Sequence, residues 1–146
     1  MEALKIKLWV LIWYYKNFYG FINISVKVLY AQMMHETGNL KSEVFKQNNN
    51  LFGMREAKVR KRSVEGSNLG HAVYKNHSQS VVDYFLRQKN FRISNQDDTS
   101  YINDTVNSNY AEDKSYKEKW VNTIKTIKIP ILKNIAIYGG LFFLDF

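Results

Sequence analysis

Glu36 is the residue around which a reaction could be built. It stands in Ala31-Gln-Met-Met-His-Glu-Thr-Gly38, where Met33, Leu29 and Val26 recur behind it at helical spacing and Tyr30 and Met34 widen the apolar stripe. Gly38 suits the left-handed residue that closes a helix, which puts Glu36 in the last turn. The C-terminal end of a helix carries about half a negative charge, and apolar walls strip water from a carboxylate. Both effects disfavour the ionised form and raise the pKa, as a general acid near neutral pH requires. On this physics alone the same residue is equally a solvated helix-end carboxylate. His35 precedes it, but neighbours on a helix point about 100° apart, so no catalytic role falls to His35.

Such a residue needs a scaffold. A chain of 146 residues is one domain's worth, and 45% hydrophobic with 23% charged residues argues for a globular core over wholesale disorder. Cysteine is absent, which excludes disulfides, thiol catalysis and thiolate metal sites, and the three His lack ligand-like spacing. Neither a cofactor nor a metal is expected. The formal charge of +8 calls for an anionic partner: nucleic acid, anionic lipid or the acidic polymers of a bacterial envelope. Arg55, Lys58, Arg60, Lys61 and Arg62 form a basic tract without interleaved aromatics, which reads as a solvated edge and not as a nucleic-acid surface.

The elements follow from periodicity. Leu4, Leu8, Ile12 and Tyr15 form a helical stripe ending near Tyr19-Gly20; the apolar run within it lacks a small-x-small cleavage site and is too short to span a bilayer. A second helix is expected over residues 21–36 and a turn-rich connection over 37–55. Gly and Asn punctuation in 55–75, with Val59, Val64 and Val73, predicts a small twisted hairpin. Residues 78–92 should be a core helix capped by Ser78, followed by a loop and short helix over 93–109. Asp113 or Ser115 caps a last helix that buries Tyr116, Trp120, Val121 and Ile124. The organisation is thus a domain over 1–126 and an apolar tail over 127–146 that packs on the domain or marks a membrane or partner contact.

Four stretches in order carry a resemblance: Ala31-Gln-Met-Met-His-Glu-Thr-Gly38, Asn49-Asn-Leu-Phe-Gly53, His71-Ala-Val-Tyr74 leading into Ser80-Val-Val-Asp-Tyr84, and Tyr110-Ala-Glu-Asp-Lys-Ser-Tyr116. Together they resemble the glucosaminidases of glycoside hydrolase family 73, bacterial and phage peptidoglycan hydrolases, with Thr37 where members usually have Ser. The resemblance implies a mainly helical α+β, lysozyme-like fold with a small β-hairpin lobe beside the cleft. It implies an endo-β-N-acetylglucosaminidase that cuts between N-acetylglucosamine and N-acetylmuramic acid, with Glu36 as proton donor. The family's second acidic residue lies in the β-lobe, where Glu65 is the best positional match and Glu56 the second. Tyr110 would bring its hydroxyl near the reacting sugar, while Asn49, Asn50, Phe52, Tyr74 and Tyr84 form the substrate-binding set. A monomer acting on peptidoglycan strands in the cell envelope, outside the cell or as a phage lysin or virion component is expected. Muramidase or lytic transglycosylase chemistry shares this fold and donor. A non-catalytic glycan-binding or structural virion protein is the alternative of another class, and a basic membrane-associated protein a third.

Overall fold

The computed structural model describes residues 1–130; residues 131–146, which hold most of the apolar tail, lie outside the described residues. The described elements run α1 (Glu2–Phe18), α2 (Val26–Glu36), α3 (Glu43–Asn48), β1 (Gly66–Asn68), β2 (His71–Val73), α4 (His77–Asn90), α5 (Asp98–Asn107) and α6 (Tyr116–Thr126). This is the mainly helical α+β architecture expected. Helix α2 lies between α1 and α6; α4 packs on α1, α5 on α6, and α3 on β2. Among the described residues no helix is long and apolar enough to cross a membrane.

Helix α1 buries Leu8, Leu11 and Ile12 and ends where Gly20 adopts a φ of +89°. There the Lys16 ammonium folds over the helix end and donates to Asn17 Oδ1, Phe21 O and Ile22 O at 3.0, 3.2 and 3.0 Å. Those contacts tie the end of α1 to the connection that leads into α2.

The second helix starts later than residue 21, because Ser25 is its extended N-cap. The Ser25 N–H and hydroxyl donate to the Asp98 carboxylate at 2.7 and 2.6 Å, tying the start of α2 to the first turn of α5. The connection over 37–55 contains a helix, α3, because Ser42 Oγ accepts from the Phe45 N–H at 3.1 Å and Asn49 closes it in the left-handed region. Asn76, not Ser78, caps α4, accepting from the Gln79 N–H at 2.8 Å. Helix α6 buries Tyr116 and Trp120 but leaves Val121 and Ile124 half-buried, and the Trp120 indole donates to Val28 O at 2.9 Å. That bond locks α6 against α2.

The hairpin pairs β1 with β2 antiparallel, Gly66 opposite Val73. Of the three valines expected in strands only Val73 is in one; Val59 is fully exposed and Val64 precedes β1.

Candidate active site

Glu36 is the last residue of α2, and the chain beyond it is held tightly enough to aim its side chain. Thr37 is buried, donates its hydroxyl to Met33 O at 2.8 Å and accepts from the Leu40 N–H at 3.0 Å. A hydroxyl is required there, and Thr supplies it as Ser does. Gly38 takes the left-handed conformation at φ +55° and lets the Asn39 N–H reach back to Met34 O at 2.9 Å.

The Asn-rich loop forms the opposite wall. Asn48 and Asn68 exchange side-chain bonds, with Asn68 Nδ2 donating to Asn48 Oδ1 at 2.9 Å and Asn48 Nδ2 to Asn68 O at 2.8 Å. Asn49 Nδ2 donates to Tyr74 O at 3.0 Å. Asn50 Nδ2 donates to Met54 O and Ala72 O at 2.8 and 2.9 Å, and its Oδ1 accepts from the Met54 N–H at 3.1 Å. These amides zip the loop to β2 while Leu51 and Phe52 are buried beneath. The zip delivers Gly53, at φ +66°, against the carboxylate: a Cβ there would stand 2.5 Å from Glu36 Oε2. Only a residue without a side chain allows that approach.

Glu36 opens into a cavity of about 700 Å³, the size of a small-ligand cleft. Burial pushes its pKa up from 4.5 to about 7, and a hydrogen bond from Tyr116 pulls the other way. The Tyr116 hydroxyl donates to Glu36 Oε1 at 2.6 Å and accepts from Gln32 Nε2 at 3.0 Å. Gln32 Oε1 in turn accepts from the Tyr84 hydroxyl at 2.6 Å. Tyr84 also meets the Tyr101 hydroxyl, and Gln88 Nε2 donates to Tyr101 and to Thr105 Oγ1, each at 2.9 Å. A buried polar chain therefore runs from α5 through α4 and α2 to the carboxylate.

Several sequence expectations change on this geometry. Tyr110, expected near the reacting sugar, lines the cavity with its hydroxyl donating to Phe52 O at 2.5 Å, and the hydroxyl that meets Glu36 is that of Tyr116, which the sequence placed only in the core. The spacing of two tyrosines in Tyr110…Tyr116 was the available signal, and helical periodicity assigned the second to the core. Glu65 does not line the cavity; it is exposed, with Gln79 Nε2 donating to its Oε2 at 3.5 Å. Glu56 does line it and pairs with Arg62 at 3.1 Å. Asn50, Phe52, Tyr74 and Tyr84 are buried, and none of them nor Asn49 lines the cavity; their polar groups are used within the wall. Arg60 is not a solvated edge: its guanidinium pairs with the buried Asp83 at 3.0 Å. Asp83 also accepts from the Ser63 N–H at 3.1 Å and the Tyr74 hydroxyl at 2.5 Å. Among the described residues no group of three or more His, Asp or Glu could hold a metal ion.

The family model described as "Glucosaminidase: Mannosyl-glycoprotein endo-beta-N-acetylglucosaminidase" matches residues 14–129. No curated protein matches the sequence. A crystal structure of a peptidoglycan hydrolase from Sphingomonas sp. A1 has the same fold at a TM-score of 0.67, with 20% identity over 85% of this chain and 87% of that one. A mutant of a peptidoglycan hydrolase from the same organism aligns at a TM-score of 0.61, with 22% identity over 85% and 92%.

Proposed function

The chain belongs to the glucosaminidase family of glycoside hydrolases, and from that membership we propose that it cuts peptidoglycan strands between N-acetylglucosamine and N-acetylmuramic acid with Glu36 as general acid. The observation that carries this reading is a partly buried Glu36, its pKa raised to about 7, facing a cavity of about 700 Å³. The shared fold with peptidoglycan hydrolases supports the choice of polymer.

Cleaving a glycosidic bond requires a proton for the leaving oxygen and stabilisation of the positive charge that develops on the sugar. The Tyr116 hydroxyl accepts from Gln32, so its single proton goes to Glu36 Oε1. The acid proton then sits on Oε2, the oxygen beside Gly53, where no side chain blocks a sugar. As the bond breaks, Oε2 protonates the leaving oxygen, and the Tyr116 hydrogen bond steadies the carboxylate that results. Glu56, placed in the cavity wall, replaces Glu65 as the carboxylate for the far face, where it activates water. Such a substrate puts the enzyme at the cell envelope.

The test is a digest of purified peptidoglycan with mass-identified fragments. Wild type releases fragments ending in reducing N-acetylglucosamine, and Glu36→Gln releases none above background. A reducing N-acetylmuramic end or an anhydro-sugar would reassign the bond. Absence of release by wild type, or equal release by Glu36→Gln, overturns the reading. Retained cleavage by Glu56→Gln would transfer the far-face role to the substrate's own N-acetyl group.

A further inference from the structure

Arg87 stands in the wall of the same cavity and takes no part in the proton transfer just derived. It is only 8% exposed, and its guanidinium lies 4.4 Å from the centre of the Phe91 ring and 4.5 Å from that of Tyr110. It donates to Gln88 Oε1 at 2.8 Å, Ser108 Oγ at 2.9 Å and Ser108 O at 3.3 Å. A guanidinium has more N–H groups than those acceptors use, and no carboxylate pairs with it among the described residues. Asp83, the buried acid of the same helix, is already engaged by Arg60, Ser63 and Tyr74.

A buried cation without a counter-charge is costly, and aromatic faces offset only part of that cost. The surroundings add to the imbalance. Arg55 and Lys58 line the cavity, are exposed and form no ion pair among the described residues. Of the acids there, Glu36 is neutral in its working form, Glu56 is matched by Arg62, and the exposed Glu112 offsets one of the two rim cations, so Arg87 and one rim charge remain in excess. A neutral oligosaccharide offers this positive cavity only uncharged acceptors, whereas a carboxylate accepts from the N–H groups Arg87 has left and also neutralises the charge.

We infer that the cavity receives a glycan bearing a carboxylate, bound at Arg87 beside the half-exposed Phe91, with Arg55 and Lys58 at the rim. The inference rests on the peptidoglycan-cleaving reading of this site and deepens it: a carboxylate of the strand, and not only its sugar rings, is recognised, and Arg87 is the residue that recognises it. Stem-peptide carboxylates and the lactyl carboxylate of peptide-free muramic acid share the required chemistry.

The test uses the full chain at low ionic strength with three preparations of one glycan: intact strands, strands with every carboxylate amidated, and strands stripped of peptides. Intact strands should exceed amidated ones in kcat/KM by about tenfold, chiefly through KM, which is the scale of one charge-assisted contact. That ratio should fall to about threefold or less in Arg87→Gln and in the rim variant Arg55→Gln/Lys58→Gln, whose exposed side chains can be replaced without disturbing the core. Peptide-free strands that behave like intact ones identify the lactyl group as the source; if they behave like amidated ones, the stem peptide is the source. Binding to Glu36→Gln, which needs no turnover, must show the same preference. Equal binding of intact and amidated strands overturns the inference whether or not the wild type cleaves them, while cleavage with no such preference leaves the proposed reaction standing.

Discussion

Ionised Glu36 is a burden on the fold, because burial costs its charged form more than its protonated one. Its folded pKa of about 7 lies above its ordinary 4.5, so the native state holds the proton more tightly than the unfolded chain. Stability is therefore lost as pH rises from 4.5 and the loss is complete above about 7, amounting to about 3 kcal/mol. Glu36→Gln should lower activity by at least about 100-fold. It should also raise thermal stability at pH 8, with the gain shrinking to nothing near pH 4; melting curves across that range check it, and a pH-independent gain would contradict it. The pH–rate profile of wild type should fall above about pH 7, as the donor loses its proton. Tyr116→Phe deletes the bond that lowers the Glu36 pKa, so this alkaline limb should move to higher pH while kcat drops. A limb that stays put would remove Tyr116 from the tuning of the acid.

Two short segments hold the carboxylate between them, and each depends on one small residue. Gly53→Ala places a Cβ in contact with Glu36 Oε2 and forces Ala to a φ of +66°. The combined strain should cost about 1–3 kcal/mol, and activity should fall further than that loss of folded protein explains. Denaturant melts alongside kcat separate the two effects. Thr37→Val keeps the shape but deletes the hydroxyl, leaving the Leu40 N–H without its acceptor. About 1–3 kcal/mol should be lost, while Thr37→Ser stays near wild type, as calorimetry would show.

At the scale of the molecule, Asp83 joins the hairpin side of the cleft to the helical side. It projects from α4 and gathers Arg60, Ser63 and Tyr74 from the segment before and after β1–β2. Burial and the neighbouring Asp83 charge push the Tyr74 hydroxyl pKa well up, so this tyrosine stays a donor at any working pH. Asp83→Ala strands a buried guanidinium and should cost about 3–5 kcal/mol. Hydrogen exchange should then show the 55–75 segment losing protection before the α1–α2–α6 body does. Uniform loss over the chain would mean that the two sides unfold as one unit.

Local periodicity made much of the architecture legible in advance. The apolar stripe behind Glu36 and the glycine after it put the carboxylate at a helix end, because a repeat near 3.6 residues selects one buried face wherever the helix later packs. The Gly/Asn punctuation likewise announced the hairpin. Polar partnership was not legible in this way. Tyr116 meets Glu36 across 80 residues of sequence, and Arg60 meets Asp83 across 23, so which hydroxyl touches the acid and which cation is buried depend on how α6 and the hairpin loop dock. Which of Glu65 and Glu56 comes to line the cavity, and the use of the asparagine amides on backbone carbonyls of the wall, turn on the same docking. A chain encodes the burial of a face within a few residues. The partner of a polar group is decided only when distant elements close on one another, because a hydrogen bond needs both ends in place within about 3 Å.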